Sequence, residues 1–201
     1  MIDTVGISIL AHLPLGVDHV KAPGRHCTFV GLARQGKLVW AAGQEITCPL
    51  ARFNLGLDPP NQETIATLAD TIVEWECARD VKIARSFVET LSPLPFGQRV
   101  FVYGPLSKMP FPPDLVLLIL KPQQAMEHLL ALTTATGELS ESPVGGLGAL
   151  CGECTAVPLL TERAVVSPGC SGSRREAFLT EEQLFLSVPY QLYSSTIAVS
   201  K

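Results

Sequence analysis

The sequence predicts an α+β or mixed α/β fold, a single compact domain over residues 1–201 with a mixed sheet flanked by helices. Three observations carry this expectation. Leu115–Leu120 is an unbroken apolar run of strand length, followed at Lys121-Pro122 by a helical pattern. Ile72–Leu91 repeats apolar residues at spacings of three and four, the signature of one helical stripe. Helix-like and strand-like segments are interspersed, with no fixed-period repeat and no low-complexity tail.

Taken in order, Gly6–Leu15 alternates loosely and reads as an edge strand or a short helix, limited by Pro14. Pro23-Gly24 marks a turn. Cys27–Arg34 reads as a short helix stopped by Gly36, and Lys37–Ala41 as a strand. Gly43–Thr47 is a turn. Cys48-Pro49 opens a helix through Leu55, because a proline at the first helical position gives up an N–H that would be unpaired there anyway. Thr64–Asp70 is a further short helix, and Ile72–Leu91 the long one, with Cys77 on its apolar stripe as a small core residue. Arg99–Tyr103 is a strand by its β-branched and aromatic content, and Gly104–Pro113 a proline-rich loop.

Leu115–Leu120 reads as a central strand covered on both faces. The helix after it runs to about Thr134, with Ala125, Met126, Leu129, Leu130 and Thr133 inward and Gly137 as its cap. Such a strand–helix junction often borders a ligand crevice. Leu150–Pro158 is a short helix, Arg163–Ser167 and Leu184–Val188 are strands, and Tyr190–Val199 is a terminal helix.

Composition narrows the function classes. Charged residues are 17%, below the roughly 25% usual for soluble domains, and hydrophobic residues are 47%, enough for a well-buried core. The net charge is −4 and no basic run exceeds Arg174-Arg175, which argues against a nucleic-acid surface. No apolar run reaches the roughly 18–20 residues of a membrane span. Ile2–Leu15 lacks a basic leader, so no signal peptide is read and a cytoplasmic, reducing setting is expected. Six cysteines in that setting point to metal or redox chemistry, or to burial, more than to a disulfide frame.

The segment Pro143–Cys170 concentrates that chemistry. Gly145, Gly146 and Gly148 form a loop whose backbone can approach a cofactor closely, although its plain reading is a flexible turn. Cys151 and Cys154 follow as C-x-x-C, an i, i+3 spacing that puts both thiols on one helical face, and Cys170 closes the segment. Cys27 and Cys48 are the outside candidates, each at the start of a short helix where the dipole favours a thiolate. His26 is a possible base or ligand, or a capping residue. Glu153 is a possible acid, or a surface carboxylate. Arg174-Arg175 reads as an anion contact or a solvated pair. No nucleophile elbow, zinc-protease or phosphate-loop motif is present.

The chain resembles the archaeal and bacterial cysteine-containing family catalogued as domain of unknown function 169. The matching blocks are H-C-T-F-V-G-L-A-R, C-P-L-A-R-F-N-L-G-L, P-D-L-V-L-L-I-L-K-P-Q-Q-A-M, C-G-E-C-T-A-V-P-L-L-T, P-G-C-S-G-S-R-R and L-F-L-S-V-P, in family order over about residues 10 to 190. The resemblance implies cysteines at Cys27, Cys48, Cys151 and Cys170, with Cys151 in a C-x-E motif and Cys154 and Cys77 less constrained. Ser171-Gly172-Ser173 departs from the family pattern after the last cysteine, which weakens any acid role there.

The leading expectation is a metalloprotein in which Cys27, Cys48, Cys151 and Cys170, with Cys154 as spare ligand, hold an iron–sulfur cluster, or alternatively zinc. It would serve redox or Lewis-acid chemistry with an unknown small molecule or redox partner. The alternatives are a metal-free thiol enzyme using Cys151 or Cys154, and a binding module with core cysteines. The module's pocket would lie between the Leu115–Pro122 junction and the glycine loop.

Overall fold

The computed structural model describes residues 3–196. Its sheet has seven strands: β1 (Asp3–Leu10), β2 (Asp18–His19), β3 (Val39–Ala42), β4 (Val100–Pro105), β5 (Leu115–Leu120), β6 (Val165–Ser167) and β7 (Leu184–Pro189). Their spatial order is β2-β3-β4-β1-β5-β7-β6. All neighbours are antiparallel except β2 and β3, so the sheet is mixed. Eight α-helices are described: α1 (His26–Arg34), α2 (Pro49–Asn54), α3 (Gln62–Glu74), α4 (Val81–Thr90), α5 (Pro122–Thr136), α6 (Val157–Thr161), α7 (Ser171–Glu176) and α8 (Tyr190–Thr196). The fold is α+β. The part of the expected terminal helix beyond Thr196 lies outside the described residues. No helix among the described residues is long and apolar enough to cross a membrane.

The all-apolar β5 has six buried residues because both faces of the sheet are covered there. On one face Val5, Ile7, Phe101, Tyr103, Leu117 and Phe185 pack against α1, α2 and the segment after the glycine loop. On the other, Val116, Leu118, Leu186 and Val188 pack against α5 and α8. A third cluster joins α2 to α3 and α4 through Leu50, Phe53, Leu68, Ile72 and Val88.

Several local expectations are corrected. β1 is not an edge strand: it pairs with both β4 and β5 at the middle of the sheet. The stripe over Ile72–Leu91 is broken into α3 and α4. Glu76 takes a left-handed φ of 57°, and the Asp80 side chain accepts from Ile83 N–H to start a new helix. Cys77 falls in the break and is exposed rather than part of a core stripe. On α5 the inward residues are Ala125, Leu129 and Leu132, while Met126 and Leu130 face solvent. The short α7 has no apolar period and was not expected.

One close approach ties the fold to its cysteines. α1 crosses α7 at Gly31, where a methyl group would overlap the Glu176 carbonyl oxygen and stand 3.1 Å from the Phe178 ring. A backbone carbonyl cannot rotate aside as a side chain can. Gly31→Ala is therefore expected to destabilise the protein by about 2 kcal/mol, read as a lower urea midpoint at unchanged m-value.

Candidate functional site

Cys27, Cys48, Cys151 and Cys170 line one cavity of about 250 Å³. Each comes from a different element, and each sits at an N-terminal turn. Cys27 is the second residue of α1, Cys48 the residue capping α2, and Cys170 the residue capping α7. Cys151 is the third residue of a π-helix, Ala149–Ala156. Unpaired N–H groups and helix dipoles favour negative charge at such turns. Pro49 fixes the first turn of α2, and Ser173 N–H donates to Cys170 Sγ at 3.4 Å.

The π-helix changes what C-x-x-C means. Its wider turn, closed by i→i+5 bonds, rotates less per residue, so residues three apart end further from each other about the axis than in an α-helix. Cys151 lines the cavity, whereas Cys154 is fully buried in the core and does not line it. Cys154 therefore does not join Cys151 in the cavity lining, although it stands close enough to Cys170 and Cys27 to feel their charge. Asn54, buried on α2, donates through Nδ2 to the Leu50 carbonyl at 2.8 Å and to Cys151 Sγ at 3.8 Å. Nothing in the sequence singled out Asn54 except its polarity within an apolar helix.

All six cysteines are free thiols. Burial, then the neighbouring Cys170 and Cys48 groups, push the Cys27 thiol far above its ordinary range. Burial does the same to Cys151, followed by Cys27, Cys48 and Cys170, against an opposing hydrogen bond from Asn54. Cys154 is raised by burial and then by the Glu153 carboxylate. Four thiolates converging in one poorly solvated space repel one another, and a bound cationic centre reverses that balance by taking the sulfurs as thiolates. Among the described residues no three Cys, His, Asp or Glu side chains stand so as to hold one metal ion. A zinc ion about 2.3 Å from each sulfur would require the four thiols to be drawn together. The cavity they line instead has room for a body of several atoms.

His26, read as a base, ligand or cap, is fully buried. Thr155 Oγ1 donates to the Leu150 carbonyl at 2.7 Å, so it accepts from His26 Nε2–H at 3.0 Å. That leaves His26 Nδ1 to accept from the Tyr103 hydroxyl at 2.8 Å. The chain Tyr103–His26–Thr155 thus pins α1 and the π-helix to β4 just behind Cys27 and Cys151. Burial holds the imidazole neutral, with its pKa lowered to about 3.

The glycine loop has separate duties. Gly145 N–H donates to Glu153 Oε1 at 2.8 Å. Gly146 has a φ of 73° with open space around it. Gly148, at φ 68°, starts the π-helix, and a side chain there would stand 3.1 Å from Leu50 and Asn54. A second cavity beside the loop is bordered by α4 and α6, not by the β5–α5 junction. Glu153 is not a surface group: it is 6% exposed. Nor is Arg174 solvated, since its guanidinium donates to the Pro168, Thr180 and Gln183 carbonyls, while Arg175 is exposed beside the cysteine cavity.

The family model described as "Uncharacterised ArCR", domain of unknown function 169, matches residues 4–198. The chain is 24% identical over 178 residues to an uncharacterized protein of Methanocaldococcus jannaschii, covering 88% of this chain and 76% of that protein. No solved structure matches the chain.

Proposed function

The chain belongs to the Uncharacterised ArCR family, and from that premise we propose that it is a cysteine-ligated metalloprotein holding an iron–sulfur cluster. Cys27, Cys48, Cys151 and Cys170 are the ligands. One observation carries the reading: the four cysteines that the family resemblance implies are the four that line a single cavity. Polynuclear iron is favoured over zinc because all-sulfur ligation suits it and, among the described residues, no three Cys, His, Asp or Glu side chains stand so as to hold one ion. Cys154 lies outside the lining and serves as a core residue.

When bound, such a cluster supplies electron transfer or a Lewis-acidic iron. The protein's own part is to hold the sulfurs, exclude water and tune the charge. Asn54 and the Ser173 N–H direct hydrogen bonds at the sulfurs of Cys151 and Cys170. The Tyr103–His26–Thr155 chain fixes the backbone behind two of the ligands. A small molecule or redox partner meets the centre at the side where Trp75, Arg25 and Arg175 edge the cavity. A reducing, cytoplasmic setting accords with six free thiols. A metal-free thiolate nucleophile at Cys151 or Cys154 is disfavoured, since burial pushes both thiols up, away from the thiolate form.

Protein purified without oxygen is expected to be brown, to absorb in the sulfur-to-iron region, and to contain iron and inorganic sulfide in similar amounts. Colourless, iron-free protein that is nevertheless folded would refute the reading.

A further inference from the structure

We propose that the second cavity is a binding site for a small organic cation, a protonated amine on an apolar body, with Glu153 as its counter-charge. The cavity holds about 620 Å³, within the range of small-molecule sites. Its walls are mainly apolar, with Phe87 from α4 and Leu91 just after it, Val144 and Leu147 from the glycine loop, and Val157 and Leu160 from α6. Two carboxylates, Glu141 and Glu153, face it, and no Lys, Arg or His lines it. An anion would find no donor charge there.

The two carboxylates differ. Glu141 is paired with Arg163 at 3.5 Å. Glu153 is 6% exposed and, among the described residues, has no ion-pair partner. It accepts one hydrogen bond from Gly145 N–H and one from the Ser167 hydroxyl. A carboxylate has about four acceptor positions, so Glu153, which lines the cavity, keeps unused acceptor capacity. A buried charge without a counter-ion is costly, and an ammonium group seated against Glu153 removes that cost while the alkyl body covers the apolar wall. Gly148 and Leu147 line both this cavity and the cysteine cavity, so the ligand lies one loop's thickness from the thiols. The inference does not depend on what those thiols hold.

The test is calorimetric titration of the anaerobically purified protein with hexylammonium, hexan-1-ol and hexanoate, with iron content measured on the same sample. Hexylammonium is expected to bind saturably at one site, hexan-1-ol at least about tenfold more weakly, and hexanoate not at all. Glu153→Gln, which keeps an acceptor for Gly145, is expected to weaken hexylammonium by about tenfold or more with the far-ultraviolet spectrum unchanged. Leu160→Trp, at a half-exposed wall position, narrows the cavity and is expected to change hexylammonium affinity by several-fold. Failure of hexylammonium to bind, equal binding by hexanoate, or unchanged affinity in Glu153→Gln would each overturn the proposal and leave Glu153 as a strut between the glycine loop and β6. If Glu153→Gln does not fold, hexylammonium affinity that is unchanged in Leu160→Trp overturns it instead. Iron content decides the cluster reading separately, so the two fail independently.

Discussion

Alanine at Cys151 is expected to cut the iron bound by anaerobically purified protein by about tenfold or more, and alanine at Cys27, Cys48 or Cys170 to do the same. Each of the four thiols lines the one cavity. Cys154 is fully buried and lies outside that lining, and Cys77 is exposed between α3 and α4. Cys154→Ala and Cys77→Ala should therefore retain iron. Loss of a bound centre also removes the stabilisation that binding to the folded state alone provides, so the four site variants should melt lower than the loaded protein and close to its metal-free form. Iron content that is equal in wild type and Cys151→Ala, or lost in Cys154→Ala and kept in Cys151→Ala, would place the centre elsewhere.

Acidification is expected to weaken the metal-free protein steeply through His26. Its imidazole has an ordinary pKa of 6.5 and a folded-state pKa lowered to about 3 by burial. Between those values the unfolded chain binds a proton that the folded protein refuses, so stability falls as pH falls through this window and is full above it. The slope is about 1.4 kcal/mol per pH unit, giving a loss of about 2 kcal/mol at pH 5 and about 5 kcal/mol below pH 3. The groups packed against the ring, Tyr103 on β4 and Thr155 on the π-helix, do not titrate in this range. Urea unfolding at pH 7.5 and pH 5 measures the slope. His26→Gln, which can accept from Tyr103 and donate to Thr155, should flatten it, at a cost of about 1–3 kcal/mol at neutral pH for imperfect pairing. A wild-type stability that does not change between those two pH values would contradict the assignment.

What the sequence made legible was what short-range chemistry decides. Pro49 announced the start of α2 and with it the place of Cys48. The apolar run Leu115–Leu120 became β5 with the same bounds, and the cysteines implied by the family resemblance proved to share a cavity. What stayed hidden depends on long-range packing or on unusual backbone. The central place of β1 is set by partners a hundred residues away. The α3–α4 break rests on a left-handed Glu76 that no apolar count detects. The π-helix has no compositional mark, so C-x-x-C spacing was read on an α-helix and placed Cys154 beside Cys151. The burial of His26 and Glu153 stays hidden because their partners, Tyr103 and Ser167, are distant in sequence or on another element.

The site's sulfurs come from four segments, with most of the chain between Cys27 and Cys170. A short metal-binding loop can gather its ligands before anything else has formed, and small zinc domains owe their folding to this. Here β4, the sheet behind it and the α1–α7 crossing must already exist before four thiols face one another. On the proposed cluster reading, insertion therefore follows folding, onto a finished scaffold, and the centre would clasp together segments distant in sequence that separate on unfolding.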